Sequence, residues 1–205
     1  MTKSSNKQWL QQQNRDPFVK QARVADYRSR AVYKLQEIDH KDRIFHKGQV
    51  VVDLGAAPGS WSQYASNQVG PRGRVVAVDL LPLEPIPNVL FIKGDFGEEE
   101  ICQACLARLP GQAADLVISD LAPNLTGIRS ADQIRSMYLA ELVFDFSCQV
   151  LRQKGAMLVK MFQGQGTDEF TRRLRQRFHQ IRVRKPMASK DKSREFYILA
   201  LGYDV

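Results

Sequence analysis

Val51-Val-Asp-Leu-Gly-Ala-Ala-Pro-Gly-Ser-Trp61 opens on an apolar run, ends that run in a carboxylate, and breaks into a turn of small residues. With Val50 the run is continuous and β-branched, the pattern of a strand buried on both faces. Five further apolar runs follow: Val75-Val-Ala-Val78, Val89-Leu-Phe-Ile92, Leu116-Val-Ile118, Met157-Leu-Val159 and Phe196-Tyr-Ile-Leu-Ala-Leu201. Helix-like segments at 59–69, 97–109, 131–153 and 167–179 separate them. Strands alternating with helices predict an α/β fold, a mainly parallel sheet with helices on both faces. Upstream, Arg30 to Asp39 sets Val32, Leu35 and Ile38 near a 3.6-residue period, with Ser29 as candidate N-cap. The chain is expected to begin with a helical extension.

The 205 residues suit one domain with a full core. No apolar run approaches the ~20 residues that cross a bilayer, and Met1 to Gln13 lack the apolar stretch of a secretory signal. A soluble, cytoplasmic protein with no membrane partner is expected. Cys102, Cys105 and Cys148 are too few for a disulfide framework, and His40, His46 and His179 are scattered, so no metal is expected and the cysteines read as helix packing. The net charge of +8 is unevenly spread: +5 over residues 1–43, −4 over 44–171 and +7 over 172–205. Between Arg172 and Arg194 ten basic side chains face Asp191 alone, which points to a polyphosphate partner.

In an open α/β sheet ligands bind beyond the carboxyl ends of the strands. The turn after the first run is neither a Walker A loop nor G-x-G-x-x-G, because its glycines are Gly55 and Gly59. Phosphate cradling is thereby disfavoured, as is a nicotinamide oxidoreductase; a tight strand-to-helix turn with no ligand would use the same residues. The second run ends in Asp79 and the third in Gly94-Asp95, so successive strands deliver carboxylates to one edge. Asp79 there can accept both hydroxyls of a ribose, and Asp95 the exocyclic amine of an adenine. A site holding Asp53, Asp79, Asp95 and Asp120 would welcome a cation and repel a pyrophosphate.

The stretch 51–61 with Asp79, Ser119-Asp-Leu-Ala-Pro-Asn-Leu-Thr-Gly127, Val159-Lys-Met-Phe-Gln-Gly164 and Ser193-Arg-Glu-Phe-Tyr197 resembles the RrmJ/FtsJ (RlmE) family, from about Trp9 to Gly202. The resemblance implies a Rossmann-like methyltransferase with a seven-stranded sheet and one antiparallel strand, 1–45 being a helical, RNA-facing extension and 46–205 the catalytic core. It implies S-adenosylmethionine as cofactor, with Gly55, Pro58, Gly59 and Trp61 in the cofactor loop, Asp79 on the ribose, Asp95 on the adenine, Asp53 nearby and Asp120 near the methionine end. It implies a catalytic set of Lys34, Asp120, Lys160 and Glu195. The reaction implied is 2′-O-methylation of an A-loop uridine of 23S ribosomal RNA in the 50S subunit, supporting late subunit maturation; from its size alone the chain is expected to be a monomer. Ser60 departs from the family, where glycine is frequent.

The chemistry of that set can be reasoned separately. Methyl transfer is an in-line displacement at a sulfonium carbon, so a hydroxyl must be aligned and its proton managed. Burial and a neighbouring Lys34 would lower the pKa of Lys160 toward a base; Asp120 and Glu195 would raise it while fixing its position. A cytosine C5 chemistry would want a cysteine after proline, and amino-directed adenine chemistry a second proline and an aromatic after Asp120; neither is present. Lys20, Arg23, Arg28 and Arg30, together with 172–194, are candidate phosphate contacts, with Tyr27, Tyr33 and Tyr197 as candidate stacking rings and core packing the expected fate of Tyr197. An assembly factor with a vestigial cofactor pocket is the alternative from another class.

Overall fold

The computed structural model describes residues 16–123, 126–189 and 193–204. Two helices come first, α1 (Pro17–Val24) and α2 (Val32–Asp42). There follow β1 (Val50–Leu54), α3 (Ser60–Val69), β2 (Arg74–Asp79), β3 (Val89–Lys93), α4 (Glu99–Leu106) and β4 (Ala114–Ser119). The chain ends with α5 (Arg129–Val150), β5 (Leu151–Phe162), α6 (Thr167–Arg175), β6 (Phe178–Arg184) and β7 (Glu195–Tyr203). The strands form one sheet in the order β3-β2-β1-β4-β5-β7-β6. All pairings are parallel except those of β7, which runs antiparallel to both β5 and β6.

Side-chain alternation divides the core in two. Val50, Val52 and Leu54 of β1, with Met157, Val159 and Met161 of β5, pack under α4, α5 and α6. Val51 and Leu158 face the other way, against Trp61, Tyr64 and Ala65 of α3 and Val32, Leu35 and Ile38 of α2. The predicted 3.6-residue stripe of α2 is thus its buried face, and the extension covers the sheet beside α3. Asp39 ties these helices: its carboxylate accepts from Tyr64 Oη at 2.7 Å and from the amide of Phe45 at 3.1 Å. Cys102 and Cys105 are buried in α4, as helix packing requires.

Four local expectations are corrected. Helix 167–179 stops at Arg175, and Phe178, Ile181 and Val183 begin an edge strand inside the basic stretch. Helix 131–153 ends at Val150, because Leu151 already pairs with Ala114; the β4–β5 register then shifts before Leu116 meets Ala156. The segment 97–109 is helical only over Glu99–Leu106. Ser29 is not the N-cap of α2, which is Ala31 without a side-chain cap; its hydroxyl accepts from the amide of Ala31 at 3.3 Å, ahead of the helix, and shares a hydrogen bond with that of Ser60 at 2.7 Å. Lys190, Asp191, Lys192, Asn124 and the start of the chain, Trp9 included, lie outside the described residues. Among the described residues no helix is long and apolar enough to cross a membrane, and no cluster of His, Cys, Asp or Glu is suited to hold a metal.

Candidate active site

Strand order reverses at β1, whose neighbours are β2 and β4, and a ligand crevice opens where the connections leave to opposite faces. β1 delivers Asp53 and Gly55 there, β2 Asp79, β3 Asp95, and β4 Ser119 and Asp120. A cleft of about 290 Å3 is lined by Gly55, Asp79, Asp95, Phe96, Leu121 and Leu142, with Leu80 and Tyr138 at its rim. Carboxylates form one side and apolar side chains another. The volume lies near the lower bound of about 300 Å3 for small-molecule sites.

The loops around the cleft are shaped by their own polar groups. Asp79 accepts from the amides of Ala57 at 2.8 Å and Leu81 at 2.8 Å, so it organises the turn after β1 as well as its own. Asp95, exposed, accepts from the amide of Gly97 at 2.9 Å. Gly55 has φ +73°, and a Cβ there would stand 2.2 Å from Leu121 Cδ2. Only glycine lets the β1 and β4 loops close on each other at that point. Gly59 has φ +107° and opens α3. Pro58 is exposed, whereas Trp61 is 3 % exposed, stacks at 5.8 Å on Tyr197, and donates from Nε1 to Ala31 O at 2.9 Å. The indole is therefore a wall behind the loop, inside the core and away from the cleft.

Asp53 lies beneath these carboxylates, 1 % exposed. Burial pushes its pKa up to about 7 against the hydrogen bond from Ser62 Oγ at 2.6 Å, and the charges of Asp120 and Asp79 push the same way. A positive ligand above it would relieve that strain.

The four catalytic candidates from distant parts of the chain meet beside the cleft. Lys160, on β5 and 8 % exposed, donates to Asp120 Oδ1 at 3.0 Å and to the Asp120 carbonyl oxygen at 2.5 Å. Lys34, on α2, lies 2.7 Å from Glu195 Oε1 and 4.0 Å from Asp120 Oδ1. Tyr197, paired with Lys160 across β5 and β7, donates from its hydroxyl to Asp120 Oδ1 at 2.6 Å. Burial raises the Tyr197 pKa well above its ordinary value, and the charges of Asp120 and Glu195 raise it further, so it remains a donor. For Glu195 burial acts upward, but the ammonium of Lys34 outweighs it, together with Ser189 and Lys160, and holds the carboxyl below its usual range. Two lysine side chains thus face two carboxylates in a largely buried cluster.

The two bonds from Lys160 to Asp120 define what the amine can do. An ammonium has a third N–H after making them; a neutral amine has its lone pair in that position. The same anchorage therefore serves a group that accepts a proton from a hydroxyl or orients it. Tyr197 combines the core role foreseen for it with a polar contact hidden in an apolar strand pattern. Ser62, Leu121, Leu142 and Tyr138 escaped sequence reading, having no spacing signal of their own.

Several candidate phosphate contacts are otherwise engaged. Arg28 and Arg30 donate to backbone carbonyls, Arg30 also pairing with Asp16. Arg182 and Arg184 grip Asp42, whose side chain is 1 % exposed, at 2.8 and 2.6 Å. Lys20 and Arg23 of α1 and Arg172 and Arg175 of α6 are exposed. Tyr33 is buried beside Phe18, which removes it from stacking on RNA, while Tyr27 is half-buried.

Residues 27–203 match the model of the FtsJ-like methyltransferase family. Over 204 residues the chain is 52% identical to "Ribosomal RNA large subunit methyltransferase E" of Marinobacter nauticus, covering 100% of this chain and 98% of that protein. It is 50% identical over 199 residues to the protein of the same name from Pseudomonas aeruginosa PAO1, covering 97% and 96%. A Plasmodium falciparum structure described as "ribosomal RNA methyltransferase, putative" superposes with a TM-score of 0.77 at 29% identity, covering 86% of this chain and 98% of that one. Human methyltransferase-like protein 13, solved with SAH, shares the fold at a TM-score of 0.57 and 12% identity, covering 84% and 78%. With the family model spanning the sheet, the cleft and all four residues of the charged cluster, the chain belongs to the FtsJ-like methyltransferases.

Proposed function

We propose that this enzyme, a methyltransferase of large-subunit ribosomal RNA that uses S-adenosylmethionine, methylates the ribose 2′-hydroxyl of a uridine in the A-loop of 23S RNA, acting in the cytoplasm as a monomer on the assembled or nearly assembled 50S subunit late in its maturation. The residues present fit the cofactor: Asp79 and Asp95 in the lining, with Asp53 and Asp120 at the ends of the neighbouring strands, suit a cationic nucleoside, and Leu121 and Leu142 give the cleft apolar surface. The cofactor supplies a methyl carbon that a weak oxygen nucleophile can attack in line. In this reading Asp79 holds its ribose, Asp95 its adenine, and the backbone at Pro58, Gly59 and Trp61 shapes the loop against it.

The observation that carries the proposal is the seat of Lys160. Its nitrogen is anchored twice on Asp120, next to the Leu121 wall of the cleft, with its third substituent position unclaimed among the described residues. A 2′-hydroxyl placed there would be oriented by Lys160, and its proton would pass to the neutral amine as the carbon–oxygen bond forms and the methyl carbon–sulfur bond breaks, with the thioether leaving. Asp120 then stabilises the ammonium, while Glu195 neutralises Lys34 so that the pair of lysines does not repel the proton. Among the described residues no cysteine joins the cluster, and Tyr197, the ring on Asp120, is buried in the core, in keeping with a sugar rather than a base as acceptor. The helical extension faces RNA, with Lys20, Arg23, Arg172 and Arg175 supplying phosphate contacts that add salt-dependent affinity and no sequence choice.

The test is transfer of labelled methyl from S-adenosylmethionine to purified large subunits lacking the modification, beside free RNA, followed by nucleoside analysis. Wild type should yield 2′-O-methyluridine, and Lys160→Ala should lower transfer by about 10²–10⁴-fold, the usual weight of a positioned acid–base group. Undiminished transfer by Lys160→Ala, or label on a base, would overturn the reading.

A further inference from the structure

The turn joining α1 to α2 is stitched to the back of the cofactor loop. The guanidinium of Arg28 donates to three carbonyl oxygens: Pro58 at 3.1 Å, Glu84 at 2.8 Å and Pro85 at 2.9 Å. The first belongs to the loop after β1 and the others to the loop after β2, the two loops that bring Gly55 and Asp79 to the cleft. No carboxylate pairs with Arg28 among the described residues. Its donors are spent on backbone, in the planar fork geometry that only arginine offers.

Neighbouring contacts repeat the theme. The amide of Arg28 donates to Gln63 Oε1 at 3.0 Å, and Gln63 Nε2 donates back to Asp26 O at 3.1 Å. Ser29 and Ser60 share a hydrogen bond between hydroxyls at 2.7 Å. This stitch depends on the hydroxyl of Ser60, which a glycine at that position would lack. A Cβ at Gly59 would stand 2.9 Å from Arg28 Nη1 and 2.8 Å from both Leu83 and Ile86 side chains. Gly59 thus gives the guanidinium room to reach Pro58.

An adjoining cavity of about 390 Å3 between α3, this turn and the β2–β3 loop, edged by Tyr27, Gln63, Ser66 and Asn67, is a weaker candidate for a ligand site. Its polar groups are largely consumed: Gln63 at both ends, as above, and Ser66 Oγ on Pro87 O at 2.7 Å.

We propose that Arg28 is a positioning residue for the methyl-transfer reaction: it clamps the loops after β1 and β2 together and so sets affinity for S-adenosylmethionine, with Ser60 as an auxiliary stitch. The proposal rests on the cofactor reading given above. Arg28 touches neither cofactor nor hydroxyl; it acts by holding Pro58 and the Glu84–Pro85 segment, whose disorder would have to be removed each time the cofactor bound. Its loss should therefore weaken cofactor binding and leave turnover at saturation intact. A phosphate-binding arginine would show the reverse pattern, weakened binding of the subunit with cofactor affinity unchanged.

The experiment measures S-adenosylmethionine Kd by calorimetry on the full chain, large-subunit Kd at two salt concentrations, and kcat at saturating cofactor. Arg28→Ala should raise the cofactor Kd about tenfold, as expected for losing a loop held by charge-assisted bonds, with kcat within about twofold of wild type. Arg28→Lys should recover part of the loss, because one ammonium cannot span three carbonyls. Ser60→Gly should raise Kd by a few-fold, the weight of one neutral hydrogen bond. A cofactor Kd unchanged in Arg28→Ala, or a loss confined to subunit binding or to kcat, overturns the proposal. Should Arg28→Ala fail to fold, as judged by circular dichroism and Tm, Arg28→Lys and Ser60→Gly carry the same test. Asp79→Ala separates the two readings: if it binds S-adenosylmethionine like wild type, the assigned cofactor site is wrong, whereas an Arg28 variant that binds normally while Asp79→Ala does not refutes only the clamp.

Discussion

Replacing Asp53 by asparagine should make the cofactor-free protein more stable at high pH and weaker as a cofactor binder. Asp53 is 1 % exposed, and burial raises its pKa from 3.8 to about 7, assisted by the charges of Asp120 and Asp79. Because the folded value lies above the unfolded one, the native state keeps a proton that the unfolded chain releases between about pH 4 and pH 7, and stability falls as pH rises through that window. At 1.36 kcal/mol per unit, the loss between pH 5 and pH 7 is about 2–3 kcal/mol, and it levels off above pH 7. The asparagine variant has no such proton. Its amide oxygen can still accept from Ser62 Oγ, and any cost of its new N–H groups is the same at every pH. The stability gap between variant and wild type should therefore widen in favour of the variant by about 2–3 kcal/mol from pH 5 to pH 8. Urea unfolding of both proteins at pH 5, 6, 7 and 8 reads this directly, since the titration of all other groups cancels in the difference. A gap that stays constant across the series, or moves the opposite way, would refute the reasoning about Asp53.

Three further outcomes follow from the same geometry. Binding of S-adenosylmethionine at pH 6.5 should release a fraction of a proton, because a cation above Asp53 favours its ionised form; calorimetry in buffers of different ionisation enthalpy measures it, and Asp53→Asn should abolish it. Asp42→Ala should cost about 2 kcal/mol in urea unfolding, a figure lowered from the buried-pair range because Arg182 and Arg184 are partly exposed. It should leave affinity for the large subunit undiminished, since the two arginines are freed rather than lost; a drop in affinity would contradict the assignment of those cations to folding. Tyr197→Phe keeps the ring against Trp61 but removes the 2.6 Å bond to Asp120, so kcat should fall several-fold at unchanged cofactor KM, with about 1 kcal/mol of stability lost; unchanged kcat would show that Asp120 holds Lys160 unaided.

The parts of the fold legible in the sequence are those where periodicity and burial agree. β1, β2 and β4 are continuous apolar runs because helices cover both their faces, and α2 shows its stripe because only one side is buried. β6 was hidden for the opposite reason. As an edge strand it mixes the two classes on both faces, Phe178 with Arg182 and Arg184 on one and His179 with Ile181 and Val183 on the other, so no clean alternation marks it and it reads as part of a basic tract. The carboxylates at the strand ends were legible because the α/β sheet assigns them a common edge. Tyr197 Oη and Ser62 Oγ were not, because a single polar atom within a buried run leaves no periodic trace. The fate of the arginines was equally hidden: charge counting cannot tell a guanidinium spent on Asp42 or Pro58 O from one turned to solvent.

That last distinction changes how the N-terminal extension is understood. Its basic character suggested an arm whose purpose is to hold phosphates, yet three of its cations, Arg28, Arg30 and Lys34, are spent on contacts within the protein. Lys34 closes the charged cluster on Glu195 and sits 5.9 Å from the Tyr197 ring, Arg28 holds the loops after β1 and β2, and Arg30 reaches Ala188 O in the loop before β7. Trp61 returns the contact by donating to Ala31 O, and Asp39 joins α2 to α3 through Tyr64. A sheet that supplies Asp120, Lys160 and Glu195 therefore obtains the fourth member of the charged cluster, and the backing of the loop after β1, from a segment that precedes β1. The extension completes the site on the face of the sheet opposite α4, α5 and α6. Its α1–α2 turn, whose Arg28 and Ser29 touch the loop after β1 while Lys20 and Arg23 lie exposed just upstream, would under the proposed function join the RNA-facing cations to the cofactor loop.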